Sequence, residues 1–171
     1  GEVREMGAEV GDHGGKSSGV IPFMCVDGAL TRAVSQGNIR RMSQADYLDV
    51  SHPEIVEFLD IRKPTGDQNR RDQDLHHGVS IPDSFMKAVI AGKKWDLVSP
   101  KSGEVIKTVD AGSIWQQILE IRTTSGEPYL FFYDNVNRLA PAEYKLLNLD
   151  IHLSNLCTEI MLNTSGNKTN V

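Results

Sequence analysis

The chain of 171 residues has only two cysteines, no long apolar run and no excess of positive charge. Cys25 and Cys157 lie far apart and outside any Cys-x-x-Cys spacing, which argues against a zinc ribbon or a secreted disulfide framework. No apolar stretch approaches the roughly 18 residues needed to cross a bilayer, and the first residues lack a signal-peptide core. These absences predict a soluble cytoplasmic protein with reduced thiols and no membrane partner.

Charge and composition are those of an ordinary globular chain. With 18 basic and 23 acidic residues the formal net charge is -5, so we expect no nucleic-acid partner, although local arginines can still bind small phosphates. A hydrophobic share of 39% is enough for one domain with a core. Because Gly1 is not an initiator methionine and residues 163–171 match no recognisable element, we expect a single partial domain over 1–171 that belongs to a longer protein.

The order of apolar segments predicts strands that alternate with helices of about ten residues. This alternation is typical of βαβ units and favours an α/β fold with a mostly parallel sheet or barrel, whose binding residues gather beyond the strand ends. The predicted strands are 20–26, 47–50, 76–81, 95–98 and 129–133, with a closing strand through 154–160. The predicted helices are one from Asp27 to Gln36, one over 53–62, one from Pro82 that stops at Gly92, and one capped by Asp110.

Local patterns add detail to the predicted helices. Ser51-His52-Pro53-Glu54 has the pattern of a capping box with proline in the first turn. Arg32 is expected on the exposed side of its helix. Apolar spacing predicts inward-facing side chains on three helices: Ile55, Val56, Phe58 and Leu59; Phe85, Met86, Val89 and Ile90; and Ile114, Trp115, Ile118 and Leu119.

The segment from Ser154 to Ile160 carries an amide, a thiol and a carboxylate at every second position. On an extended strand Asn155, Cys157 and Glu159 would project from one face, while the apolar Leu156 and Ile160 anchored the other in a core. Such an arrangement indicates an active site. From the residues alone, a buried cysteine flanked by polar neighbours explains the pattern equally well.

Three further patterns favour structural roles. Residues 11–17 resemble a phosphate-binding P-loop, but the spacing is one residue short and a strand is predicted where a helix must follow, so a glycine-rich connection fits better. Adjacent histidines His76 and His77 face opposite ways on a strand and do not indicate a shared metal site, and no metal ligand is predicted. Cys25 is expected to be an inert buried thiol.

Charged loops are the better candidates for ligand binding. Arg40-Arg41 and Arg70-Arg71 each lie in a loop at a predicted element end, where either solvated charge or phosphate binding fits. Residues 63–72 form a polar stretch without apolar side chains and are predicted to be a surface loop.

Read in order, these residues resemble a known family, the large catalytic subunit of class I ribonucleotide reductase. The resemblance covers essentially the whole chain but only a minority of a full subunit. Leu156 favours class I, because the cobalamin-dependent relatives usually read Asn-Pro-Cys-Gly-Glu at this motif. The segments that carry the resemblance are 19–23, 35–37, 47–49, 52–55, 57–59, 62–66 and 154–160.

The resemblance implies a fold and a set of catalytic roles. The chain would form part of a ten-stranded α/β barrel, with Cys157 at the tip of a finger loop as the thiyl radical that abstracts the ribose 3′-hydrogen. Glu159 would accept the proton of the 3′-hydroxyl, and Asn155 would hydrogen-bond the ribose. A hydrogen-atom acceptor has to start as a sheltered thiol, and a carboxylate within reach is an effective base. The implied reaction reduces ribonucleoside diphosphates to deoxyribonucleotides.

Regulation and partners are implied in the same way. A deoxynucleoside triphosphate or ATP effector would bind near the interface of a homodimer. No cofactor is expected on this chain itself; a metal-containing small subunit would supply the radical, and thioredoxin or glutaredoxin the electrons. The implied effector-binding residues are Arg32, Gln36, Gly37, Arg40 and Arg41, and a second loop that reports to the substrate comprises Gly66, Asp67, Gln68, Asn69, Arg70 and Arg71.

Two departures from the family pattern matter. Met42-Ser43 replaces the usual Gly-Ala after the loop-one arginines, which bears on effector selectivity. The redox-active cysteine pair and the tyrosine relay of the family are not found, so the chain alone is not expected to turn over. The alternatives are a noncatalytic nucleotide-binding module, a split-gene piece that acts only with its complement, and a P-loop phosphotransferase.

Overall fold

The computed structural model of the protein describes residues 3–35 and 39–163. Strands and helices alternate along most of this part of the chain. In chain order the elements are β1 (Glu9–Val10), β2 (Gly15–Lys16), α1 (Val20–Val34), β3 (Ala45–Asp49), α2 (Ile55–Leu59), a 3₁₀ turn (Gln68–Arg70), β4 (His76–Ser80), α3 (Asp83–Ile90), β5 (Lys94–Val98), β6 (Val105–Asp110), α4 (Ala111–Ser125), β7 (Tyr129–Phe131), α5 (Tyr133–Leu139) and α6 (Ala142–Leu146).

The main sheet is parallel and has the order β3-β4-β7. Tyr47 of β3 is in register with Gly78 of β4, which is in register with Tyr129 of β7. Two antiparallel pairs, β1 with β2 and β5 with β6, stand apart from it. The predicted α/β fold with a mostly parallel sheet is confirmed.

One apolar core joins the sheet to the helices around it. Val79 of β4 and Ile81 just after it are fully buried, and Phe58 of α2, Phe85 of α3 and Ile118 of α4 are fully buried with them. Helix α4 packs against both α2 and α3. Each such side chain contributes about 1.5–3 kcal/mol through burial, so this cluster fixes the sheet on which the candidate site is built.

Helix α1 corrects the prediction of a strand over 20–26. Its buried residues are Val20, Ile21, Met24, Gly28 and Thr31, which follow a helical spacing over three turns. A continuous apolar run of seven residues fits a buried helix as well as a strand, so the length of the run does not distinguish the two. Arg32 lies on the exposed side of the helix, as predicted.

A β-hairpin occupies the segment that resembles a P-loop. Gly15 and Lys16 form β2, which pairs with β1 across the turn at 11–14. Helix α1 does follow, contrary to the predicted strand, but it begins at Val20 after an intervening segment. The glycine-lysine pair therefore does not open a helix, and the interpretation as a glycine-rich connection is confirmed.

The ends and faces of other helices also differ from prediction. Helix α2 begins at Ile55 and has no side-chain cap. Ser51 of the predicted capping box donates to Asp49 instead, and the Glu54 carboxylate accepts from the amides of Met6 and Val20. Asp110 caps α4 as predicted by accepting a hydrogen bond from the Ser113 amide. Three side chains expected to face inward are exposed, namely Val56, Ile90 and Leu119.

Candidate functional site

The cysteine loop, residues 154–160, is a turn and not the predicted closing strand. The Thr158 amide donates to the Asn155 carbonyl at 3.2 Å, and the Asn155 side-chain oxygen accepts from the amides of Glu159 and Ile160 at 3.1 and 3.0 Å. Thr158 adopts a left-handed conformation with φ 65°. The inference that three side chains share one strand face is therefore wrong, because the Asn155 amide folds back on the loop.

The loop presents its reactive groups outward. Cys157 and Glu159 are exposed, whereas Asn155 is partly buried and Ser154 is buried. The expected apolar anchors do not hold it, since Leu156 is only partly buried and Ile160 is 49% exposed. A thiol and a carboxylate two residues apart thus stand at the surface of the described chain, and polar contacts fix the loop.

Two asparagines fasten the segment that leads into and out of the loop. The Asn137 side chain donates to the Ile151 carbonyl at 2.9 Å and accepts from the Ile151 amide at 2.8 Å. The Asn163 side chain donates to the Asp150 carbonyl at 2.6 Å. Because both ends are tied to backbone groups, the loop is held as a closed excursion. No sequence pattern had marked either asparagine.

The tip of the loop lies against the parallel sheet. The Tyr47 hydroxyl is 3.0 Å from Ser154 Oγ and 3.4 Å from Thr158 Oγ1, and it donates to the Asn155 carbonyl at 3.3 Å. Burial raises the pKa of Tyr129, and the neighbouring Glu127 and Cys157 raise it further. Sequence reasoning did not indicate that Tyr47 contacts the loop, because the two are more than a hundred residues apart.

A buried carboxylate supports this face of the sheet. Glu127 accepts hydrogen bonds from His76 and, at 3.1 Å, from His77, and it lies 3.5 Å from Arg62. Burial alone would raise the pKa of Glu127, but the two histidines and the arginine lower it to about 2. His76 in turn stacks on Tyr129 with ring centroids 6.2 Å apart.

The two adjacent histidines share a partner, although they were expected to face opposite ways and not to form a metal site. Both His76 and His77 reach Glu127, which lies beside the start of β4. Across residues 3–35 and 39–163, no three His, Cys, Asp or Glu side chains are grouped as a metal site would require.

An open cavity of about 370 Å³ brings together two of the candidate effector residues. Arg32 and Arg41 line it, and Arg40 is exposed nearby in the chain but does not line it. Gln36 and Gly37 fall outside the described residues. The other lining residues are Thr31, Ser35, Met42, Ser43, Gln73, Asp74 and His76. The Met42-Ser43 departure therefore lies in the wall of this arginine cavity.

The charge of Arg32 is already partly neutralised. Its guanidinium lies 2.6 Å from Asp74 Oδ2 and 3.6 Å from Asp72 Oδ1. A phosphate at this cavity would compete with Asp74 for the same donor, since an arginine fork binds carboxylate and phosphate alike.

Loop two, residues 66–71, is ordered by its own polar groups. Asp67 accepts from the Asn69 amide at 3.0 Å and so opens the 3₁₀ turn over Gln68–Arg70, while Gly66 has φ 104°. Within the described chain, Arg71 donates only to backbone carbonyls, those of Thr65 and Arg70. The predicted polar surface loop is confirmed here.

Arg70 is the residue of loop two whose charge is most fully paired. It lies 2.5 Å from Glu57 through two nitrogens and 3.1 Å from Glu54. The hydrogen bond from Arg70 lowers the pKa of Glu57, and the same contact raises the pKa of Arg70. Of the two loop-two arginines, only Arg71 is free of a carboxylate partner among the contacts of the described chain, so it is the better phosphate candidate.

An acidic cavity between α1 and β3 was not foreseen. It measures about 430 Å³, and its lining includes Asp27, Asp46, Asp49 and Tyr47. Burial raises the pKa of Asp46 to about 6, with the carboxylate of Asp27 acting in the same direction. Three carboxylates repel a phosphate, so this cavity does not suit a diphosphate ligand.

Comparison with known proteins gives the family. The sequence model described as "Ribonucleotide reductase, barrel domain" matches residues 1–171. The chain belongs to the ribonucleotide reductase family. Its open parallel sheet with intervening helices is part of the α/β barrel of that family, as the resemblance implied.

Similar proteins come from viruses and bacteria. A protein of Frog virus 3 (isolate Goorha), named "Putative ribonucleoside-diphosphate reductase large subunit", is 49% identical over 91% of this chain and 28% of its own length. The "Ribonucleoside-diphosphate reductase large subunit" of Invertebrate iridescent virus 3 is 34% identical over 91% of this chain and 33% of its own. The "Ribonucleoside-diphosphate reductase subunit alpha" of Helicobacter pylori (strain J99 / ATCC 700824) is 34% identical over 96% of this chain and 24% of its own.

This ribonucleotide reductase chain thus spans between about a quarter and a third of the length of those relatives. Its described helices include none with the length and apolar character needed to cross a membrane. The catalytic and effector roles that the resemblance implies for residues of this chain stay predictions.

Proposed function

We propose that the full-length protein containing this chain is the large subunit of a class I ribonucleotide reductase that reduces ribonucleoside diphosphates to deoxyribonucleotides. The observation that carries the proposal is the cysteine loop. It exposes Cys157 and Glu159 on a loop that contacts the parallel sheet of a ribonucleotide reductase barrel domain. A thiol and a carboxylate two residues apart supply a hydrogen-atom acceptor and a base to one substrate.

The chemistry assigns one role to each side chain. The thiyl sulfur of Cys157 removes the hydrogen atom from ribose C3′ and becomes a thiol, which leaves the unpaired electron on C3′. The Glu159 carboxylate accepts the proton of the 3′-hydroxyl. The Asn155 side-chain oxygen is occupied by the amides of Glu159 and Ile160, so its NH₂ group is the part available to the ribose.

Exposure of Cys157 supports a site completed by other segments. A cysteine radical needs shelter from solvent and reductants, which the described chain alone does not provide. We propose that further parts of the barrel close over the cysteine loop. The radical would reach Cys157 from a metal-containing small subunit, and thioredoxin or glutaredoxin would deliver the electrons in the cytoplasm.

The arginine cavity is the proposed effector site. Arg32 and Arg41 face one space of a size suited to a nucleotide, and together they can bind a triphosphate of a deoxynucleoside or ATP. Binding would displace Asp74 from Arg32. Gln36, Gly37 and Arg40 belong to the same proposed loop one, whose Met42-Ser43 continuation lines the cavity and would influence which base is accepted.

Loop two is the proposed reporter between effector and substrate. Asp72 and Asp74 follow it directly and are the partners of Arg32, so a phosphate that binds Arg32 alters contacts at the end of loop two. Arg70 stays with Glu54 and Glu57, whereas Gly66, Gln68, Asn69 and Arg71 are left to face substrate. Coupling of two sites through a mobile segment is the physical content of allostery.

A homodimer of the full subunit is supported by helix α1. Its outer side carries a stripe of exposed apolar residues, and Arg32 of the proposed effector site lies on the same helix. Exposed apolar stripes of this length on a helix are typical of association surfaces. The stripe consists of Phe23, Val26, Leu30 and Val34.

The noncatalytic nucleotide-binding module remains the second candidate, because the arginine cavity exists independently of the cysteine loop. The two functions separate in an assay of the full-length subunit with its radical-generating partner and a substrate deuterated at C3′. Deuterium should slow the first turnover of reduction, since abstraction of that hydrogen starts the reaction. Nucleotide binding without any deoxyribonucleotide product would favour the module, and product formation without an isotope effect would contradict the hydrogen-abstraction step.

A further inference from the structure

A row of three residues crosses the parallel sheet beneath the cysteine loop. Tyr47, Gly78 and Tyr129 are consecutive register partners on β3, β4 and β7. Partners in register project to the same face of a sheet, so the two tyrosines flank a position that has no side chain. Tyr47 contacts the loop through its hydroxyl, and the Tyr129 ring stacks on His76.

Gly78 is required by the position of the Tyr47 ring. A Cβ on residue 78 would stand 2.5 Å from Tyr47 Cε1 and 2.6 Å from Cδ1, far inside van der Waals contact. The ring also meets Phe131 of β7 edge to face, with ring centroids 6.0 Å apart. With both neighbours in place, the tyrosine leans over β4, and its hydroxyl reaches a loop that is more than a hundred residues away in sequence.

The Tyr47 hydroxyl contacts the cysteine loop at Thr158, where the loop backbone adopts an unfavourable conformation. Thr158 is a β-branched residue at φ 65°, a conformation that costs about 1–3 kcal/mol and persists only where surrounding contacts enforce it. Two such contacts converge there, the Thr158 amide with the Asn155 carbonyl and the Tyr47 hydroxyl with Thr158 Oγ1. Tyr47 contacts Ser154, Asn155 and Thr158, so its contacts lie on both sides of Cys157 in the chain.

We propose that Tyr47, seated over Gly78, is a positioning residue that fixes the turn presenting Cys157 to the substrate. Among the described contacts it makes no hydrogen bond to the thiol, and it acts through the Ser154 hydroxyl, the Asn155 carbonyl and the Thr158 hydroxyl. The inference rests on the proposed function, because the position of the thiol affects turnover only if Cys157 reacts.

The structural part of the test is hydrogen–deuterium exchange in the full-length subunit, followed by mass spectrometry on peptides that cover 154–160. Tyr47→Phe keeps the ring and removes only the hydroxyl, so we expect the loop amides to exchange about fivefold faster, as loss of one hydrogen bond predicts. Peptides from β4 and α4 should not change and serve as internal references. The matched control is Tyr144→Phe, which removes a hydroxyl that makes no hydrogen bond to the cysteine loop in the described structure.

Gly78→Ala provides an independent perturbation of the same contact. The added methyl group has to push the Tyr47 ring aside, and we expect faster loop exchange with the Tyr47 hydroxyl still present. In the double variant the exchange should be no faster than in the more affected single variant, because both changes remove one shared interaction. Fully additive effects on the loop would contradict the role assigned to Gly78.

The functional part compares steady-state reduction by the same variants. A loosened thiol should lower kcat by about tenfold or more, with KM and effector affinity unchanged, since small misplacements of reacting groups are costly. Unchanged exchange in Tyr47→Phe overturns the proposal, and so does a loss of kcat without faster loop exchange, which would mean that Tyr47 acts directly on the reaction. If wild-type subunit gives no reduction at all, the proposed function fails, while the exchange comparison still decides whether Tyr47 orders the loop.

Discussion

Arg32 Nη1 lies 2.6 Å from Asp74 Oδ2, so the arginine proposed to bind effector phosphate already has a carboxylate partner. Both side chains are about half exposed, which makes this a solvent-screened pair of modest strength. The pair therefore matters mainly because Asp74 competes with effector phosphate for Arg32. A nucleotide gains Arg32 only after Asp74 gives it up, and Asp74 lies at the end of loop two.

Removal of that competing charge should strengthen effector binding. Asp74→Asn takes away a carboxylate worth about 0.2–1 kcal/mol to Arg32, so we expect the effector dissociation constant to fall by up to about fivefold. Equilibrium dialysis with a labelled deoxynucleoside triphosphate measures it. Glu120→Gln on the exposed side of α4 removes the same charge elsewhere and should leave the affinity unchanged. Weaker binding in Asp74→Asn would show that Asp74 assists the nucleotide.

The Glu127 carboxylate should make stability depend on pH in a defined direction. Its pKa in the folded protein is lowered to about 2 from an ordinary 4.5, so its contribution is fully present above pH 4.5 and is lost as pH falls toward 2. We expect Glu127→Gln to lower the free energy of unfolding by about 2 kcal/mol at pH 7, because two histidines lose their ionised partner. Urea titrations from pH 7 to pH 3 measure the difference, which should shrink with acidity. A difference that is constant or grows in acid would refute the assigned partners.

Gly28 on α1 should not tolerate a side chain, although alanine is normally the better helix former. A Cβ there would stand 1.8 Å from Asp72 Oδ2, whose partner oxygen accepts from the amides of Asp74 and Leu75. Displacement of that buried carboxylate outweighs the roughly 1 kcal/mol that alanine gains in a helix. We expect Gly28→Ala to destabilise the protein by about 1–2 kcal/mol in urea unfolding.

Gly112 offers the matched control for that change. It lies in the first turn of α4, where a Cβ would meet only the Asp110 carboxylate, at 3.1 Å. Gly112→Ala should be neutral or slightly stabilising. Equal effects at both positions would mean that Asp72 moves freely and does not define the contact between α1 and the end of loop two.

The strands of the parallel sheet could be predicted from the sequence, but the first helix and the orientation of several helix faces could not. Strands β3 and β4 were predicted correctly because short β-rich runs bounded by polar residues have few alternatives. The run over 20–26 was misassigned because periodicity cannot separate a short buried strand from a buried helix. Val56 and Ile90 were misplaced because the direction of a helix face depends on its neighbours.

At the candidate site, the sequence indicated which residues matter but not the conformation in which they lie. An alternation of polar and apolar residues over 154–160 imitates a strand, but Asn155 hydrogen-bonds the following amides and closes a turn, as asparagine readily does. Tyr47 holds the turn and Asn137 holds the segment before it, and both residues are distant from the loop in sequence. Glu127 likewise contacts both His76 and His77, although the alternation of side chains along a strand places the two histidines on opposite faces.

The identity of the reacting sulfur is the central claim, and replacement of each cysteine tests it most directly. Cys25 is a fair control, since it is a partly buried thiol on α1 whose burial raises its pKa and makes it less reactive. In the full-length subunit with its radical-generating partner, Cys157→Ser should abolish deoxyribonucleotide formation and leave effector binding intact, while Cys25→Ser should retain activity. Near-normal turnover by Cys157→Ser would contradict the assignment of the hydrogen-abstracting radical to this loop.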